Sequence, residues 1–146
     1  PKIIDSSGKN SNPFMIKNLT KLEKFFWDFY FISYHLSIVI RKIRKLCKLF
    51  YNNKLVENEI LPKKVYAIHG SAMIFSKDFF LKGGTFDNNF EMYGEEISVA
   101  KMAKEINLPV TFFPELELKH NEHTNTKNTN NRLLFEKAKF SHKYNY

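Results

Sequence analysis

Two adjacent carboxylates, Glu95 and Glu96, open a segment whose spacing is helical. At about 100° per residue, Val99, Met102, Ala103 and Ile106 gather into a broad apolar stripe. Glu95 falls inside that stripe and Glu96 at its edge. A carboxylate on a buried face is expensive unless it is paired or hydrogen-bonded. A helix start supplies part of that compensation through its free N–H groups and macrodipole. Burial raises the carboxyl pKa and the helix start lowers it, which is one way to set up a general base. Glu is also favoured in any first helical turn, so the pair by itself leaves both readings open.

The second group able to do chemistry is His120, with His123 in the spacing H-x-x-H. That spacing is compatible with a metal but is weak without cysteines or carboxylates beside it. His69-Gly70-Ser71 is the third: a glycine at a break in a strand lets another backbone or a ligand come close, or marks a bulge.

The elements that would position these groups fall into four stretches. Residues 1–20 are polar and turn-rich, with a short strand Lys2–Ile4 and a tight turn Asp5-Ser-Ser-Gly8. Residues 21–64 are helical in pattern over Lys21–Lys54, first aromatic and then basic. From Leu36 to Tyr51 the residues Leu36, Val39, Ile40, Ile43, Leu46, Cys47, Phe50 and Tyr51 share one face. Arg41, Lys42, Arg44, Lys45 and Lys48 take the other, a pattern suited to a solvated helix or to an anionic membrane surface. Residues 65–120 alternate strand and helix signals, the mark of α/β layering. A strand is expected over Val65–Phe75, a short helix capped by Ser76 and stopped at Gly83-Gly84, and a helix over Glu95–Ile106. Strands follow at Pro109–Phe113 and Glu117–Lys119. Residues 121–146 open with a polar loop and close with a helix over Arg132–His142.

Bulk properties bound the rest. At 146 residues, with 43% hydrophobic and 16% aromatic content, the chain has enough apolar side chain for one packed domain rather than a disordered one. A net charge of +8 suits anionic partners without choosing among them. Nucleic acid has no motif behind it. The single cysteine, Cys47, excludes an intrachain disulfide and fits a reducing, cytoplasmic setting. The longest apolar run, Phe25–Ile40, is broken by Asp28 and His35 and falls short of the roughly 20 residues of a membrane span. The chain is thus expected to be soluble or peripheral at the inner face of a membrane.

Over His69–His120 the letters resemble the second half of a family 2 glycosyltransferase domain of the GT-A type, an α/β, Rossmann-like nucleotide-sugar fold. Gly83-Gly84-Thr85-Phe86-Asp87, Phe90, Tyr93 and Glu95-Glu96 are similar to that family's Gly–Phe–Asp turn followed by an acidic pair. The resemblance implies an inverting transfer of a sugar from a nucleotide diphosphate donor to an acceptor hydroxyl, sugar or lipid-linked, as in capsule and other surface-polysaccharide synthesis. It implies Glu96 as general base with Glu95 beside it. Gly70, Ser71, Phe86, Asp87 and Tyr93 fall on its acceptor side, and His120 approaches a Mg or Mn ion or the diphosphate. The second acid of the pair is a Glu where the family has Asp, and Met102 stands about where an Arg is frequent. The family's D-x-D metal anchor is missing: Asp5, Asp28, Asp78 and Asp87 are the only aspartates. Pro1–Gly8 resembles the stretch that follows that motif, so a donor-binding half is expected upstream, and the helical 21–54 is an amphipathic insertion. The chain alone is then expected to be inactive, with an apolar edge open to dimerisation. The alternative is a truncated, non-catalytic module that binds a membrane or protein through its basic helix.

Overall fold

The computed structural model describes residues 1–50, 61–90, 93–120 and 130–146, with the side chains of 46–50 outside that set. Among the described residues are five helices and two small sheets, a mixed arrangement that is broadly α/β. The polar loop expected at 121–129 with His123, and the side chains of Leu46, Cys47, Lys48, Phe50 and Tyr51 on the expected amphipathic helix, lie outside the described residues.

Strand β1 (Lys2–Ile4) pairs in parallel with β4 (Glu117–Lys119), Ile3 opposite Leu118. The ladder runs one step further, where the His120 N–H donates to the Ile4 carbonyl at 2.8 Å. Asp5 then turns the chain: its Oδ1 accepts from the N–H groups of Ser7 and Lys9, and Gly8 takes the positive φ of 80° that the turn requires. β2 (Lys63–Val65) pairs antiparallel with β3 (Val110–Phe112), Val65 opposite Val110.

The strand expected over Val65–Phe75 is much shorter. Beyond Val65 only a single bridge, Ala67 to Met15, continues the pairing. The stretch from Met73 to Phe75 instead lines an apolar cavity of about 270 Å³ with Val99, Ala100, Ala103 and Val110. Alternating apolar letters were satisfied there by packing, with no ladder needed.

The helical stretch after Thr20 is also divided. α1 (Lys21–Tyr30) opens with a capping box: Thr20 Oγ1 accepts from the Glu23 N–H, and Glu23 Oε2 accepts from the Thr20 N–H at 2.7 Å. It ends at Phe31, and Ser33 restarts the chain by accepting the Leu36 N–H on its hydroxyl at 3.2 Å. α2 (Tyr34–Phe50) follows. Ser33 is a helix-start residue inside what looked like one helix, and it wins because its hydroxyl competes locally for backbone N–H groups.

α3 (Lys77–Leu81) begins after Ser76 and stops before Gly83, as the turn residues require, although the Ser76 side chain makes no capping bond. α4 (Glu95–Glu105) and α5 (Asn131–Asn145) complete the chain, the latter capped by Asn130 Oδ1 on the Arg132 N–H at 2.8 Å. An aromatic core joins α1, α2 and α5. Phe31 and Phe135 are buried, and Phe135 sits 5.6 Å from the Phe31 ring and 5.5 Å from that of Tyr34. His142 stacks on Phe31 and its Nε2 lies 2.8 Å from Asp28 Oδ1, tying α5 to α1. Among the described residues, no helix is long and apolar enough to cross a membrane.

Candidate active-site cleft

Tyr93 and Gly94 set the start of α4. Both take positive φ, 67° and 105°, a conformation strained for the tyrosine and natural only for the glycine. Gly94 also has no room for a side chain, since a Cβ there would overlap Ser141 Oγ of α5 and the Phe90 ring. The turn places Glu95 and Glu96 in the first helical turn, with no side-chain cap competing for the free N–H groups.

The buried face of α4 is Glu96, Ala100 and Ala103. This corrects the projection, which put Glu95 inside the buried stripe and Glu96 only at its edge. Ala100 and Ala103 are small enough for close approach, and they rotate the packed face about one position away from the stripe that Met102 and Ile106 would define. Glu96 is 9% exposed and Glu95 is open as a residue.

Gly70 meets this pair from the other side. Its N–H donates to Glu96 Oε1 at 3.1 Å. A methyl group on Gly70 would stand 2.9 Å from Glu96 Oε1 and 3.1 Å from Glu95 Oε1. Of the two meanings of a glycine at this break, the structure shows close approach, by carboxylates of the same chain. The Glu95 carboxyl is held above its ordinary value, first by desolvation and next by the charge of Glu96; its own helix-start N–H and His69 pull the other way without cancelling.

The loop carrying Gly70 is fixed by a residue the sequence did not single out. Asn12 is 2% exposed; its Oδ1 accepts the His69 N–H at 2.9 Å and its Nδ2 donates to the Pro1 carbonyl at 2.7 Å. Nothing local marks Asn12, because its partner lies 57 positions away. The His69 ring is oriented in turn: Nδ1 accepts the Ser71 N–H at 3.1 Å, which leaves the ring proton on Nε2. The His69 and His120 rings are 6.1 Å apart. His120 stands just past the carboxyl end of a parallel strand pair, the end where α/β sheets receive ligands.

These groups border one cleft of about 960 Å³, large enough for a sugar-sized ligand. Gly70, Ser71, Tyr93, Glu95, Glu96 and His120 line it, together with Arg41. Trp27, Tyr30 and Phe31 add aromatic lining, and α5 contributes Phe135, His142 and Tyr146. Burial pushes the Tyr146 hydroxyl up to about 12, so it remains a hydrogen-bond donor across the neutral range.

Phe86 and Asp87 do not line the cleft. Phe86 packs in a phenylalanine cluster 5.0 Å from the Phe75 ring and 6.0 Å from that of Phe79. Asp87 Oδ1 accepts from the Asn89 N–H at 2.9 Å and shapes the turn before α4. The structure thus places these two apart from Gly70, Ser71 and Tyr93, which do line the cleft. Lys42, Arg44 and Lys45 are exposed and do not line the cleft.

Among the described residues no three His, Cys, Asp or Glu side chains converge where a single ion could sit. No protein-family model, curated protein or solved structure matches the chain.

Proposed function

We propose that the chain is the acceptor-side portion of a GT-A glycosyltransferase of family 2, with Glu96 as the base that activates an acceptor hydroxyl. The observation that carries this reading is the junction of the Gly70 N–H with the Glu96 carboxylate at the wall of an aromatic cleft. A sugar hydroxyl is a weak nucleophile until a positioned carboxylate withdraws its proton. One oxygen of Glu96 is held by the Gly70 N–H, which fixes the carboxylate, and its second oxygen serves the acceptor. The hydroxyl proton passes to Glu96 as the acceptor oxygen bonds to the anomeric carbon. The bond from that carbon to the diphosphate breaks, and the nucleoside diphosphate leaves with the electron pair.

Glu95, more open beside the base, hydrogen-bonds an acceptor hydroxyl, and the faces of Trp27 and Tyr30 take the apolar side of a sugar ring. His120 and the Nε2–H of His69 supply donors on the diphosphate side.

Direct displacement inverts the anomeric centre. Proton magnetic resonance of the product formed from a nucleotide sugar by the protein as its source cells make it is expected to show inverted configuration. A retained configuration would overturn the assignment of Glu96 as a base acting on the acceptor.

A further inference from the structure

One face of α1 is apolar and uncovered. Leu22, Phe25, Phe26 and Phe29 share a stripe at helical spacing and are 77%, 69%, 42% and 47% exposed. The adjoining face of the same helix, with Trp27 and Tyr30, lines the cleft. Large exposed phenylalanines in a row mark a contact surface rather than ordinary surface scatter. Arg41, Lys42, Arg44 and Lys45 stand exposed on the neighbouring α2. The Arg44 guanidinium lies 6.0 Å from the Phe26 ring and 5.9 Å from that of Trp27, so the cationic row borders the stripe directly. The two acids of α1, Glu23 and Asp28, are matched in number by its own Lys21 and Lys24, so the cations of α2 remain in excess.

We infer that the α1 stripe and the α2 cations form a docking surface for an anionic lipid bilayer. The rings of Phe25, Phe26 and Phe29 enter the boundary between headgroups and acyl chains, and the cations of α2 meet lipid phosphates. Charge selects this occupant over a second copy of the chain. A two-fold contact on the same face would bring two sets of like charges together. The inference stands on the α1 and α2 surfaces alone and does not depend on the transferase reading.

The test is co-sedimentation of the purified chain with vesicles of phosphatidylcholine and with vesicles containing about one-third phosphatidylglycerol. Binding to the anionic vesicles is expected, with little to the neutral ones. Phe25→Ser with Phe29→Ser should lower the partition about ten-fold or more, and Arg41→Ser with Lys42→Ser and Lys45→Ser about a hundred-fold. All five positions are exposed, and unchanged circular dichroism checks that the variants fold. Absence of binding, or binding indifferent to both sets of substitutions, would overturn the inference. So would a solution dimer that Phe25→Ser and Phe29→Ser dissociate while vesicles remain unbound, since the stripe would then be a self-contact.

Discussion

Two carboxylates at adjacent positions of one helix start ionise less easily together than either would alone. Here the burden falls on Glu95, whose pKa is raised by desolvation and by the charge of Glu96. A carboxyl with a raised folded-state pKa binds its proton more tightly in the folded chain than in the unfolded one. Stability therefore rises as pH falls from the raised value toward the ordinary 4.5, and above that window the charged Glu95 opposes folding. Glu95→Gln should stabilise the chain at pH 7 by about 0.5 kcal/mol, a small figure because solvent screens a group this open. Below the window both side chains are neutral and the gain should vanish. Urea denaturation at both pH values checks this, and a loss of stability at pH 7 would contradict it. The presence of a carboxylate pair at this helix start is plain in the sequence. Which member is buried is not, because that depends on how closely the alanine face of α4 is approached by its neighbours.

At the scale of elements, the site exists because a loop and a helix start approach within a hydrogen bond. Gly70→Ala probes that approach. The added methyl would meet the ends of two flexible carboxylates rather than backbone, so the stability cost should be about 1 kcal/mol, at the low end of overpacking. Sugar transfer should fall much further, about a hundred-fold, since small displacements of a catalytic group are costly. Transfer at the wild-type rate by a folded Gly70→Ala variant would separate the junction from catalysis. The elements themselves were legible where local chemistry decides them. Gly83 marks where α3 ends, and α4 (Glu95–Glu105) occupies the stretch where a helix over Glu95–Ile106 was expected. They were illegible where a distant partner decides. Asn12 reaches His69 across 57 positions and Asp28 reaches His142 across 114, and neither leaves a trace in neighbouring letters.

For the molecule as a whole, two faces of one helical layer turn to different tasks. α1 offers Trp27 and Tyr30 to the cleft and its phenylalanine stripe to the outside. A bilayer held on that stripe would lie beside a cleft able to take a sugar, an arrangement suited to a lipid-linked acceptor. The basic and apolar halves of α2 were legible in the sequence. The uncovered stripe of α1 was not, because its aromatic letters fit a buried helix equally well, and only the tertiary arrangement shows which rings are covered. The central claim is that Glu96 takes the acceptor proton. It is tested most directly by the rate of sugar incorporation, from a panel of nucleotide sugars, into the glycan and lipid fraction of the source cells. The comparison is between the natural protein and its Glu96→Gln variant. A fall of about a hundred-fold to ten-thousand-fold with unchanged thermal stability is expected. Incorporation at the natural rate by the Glu96→Gln variant would contradict the account.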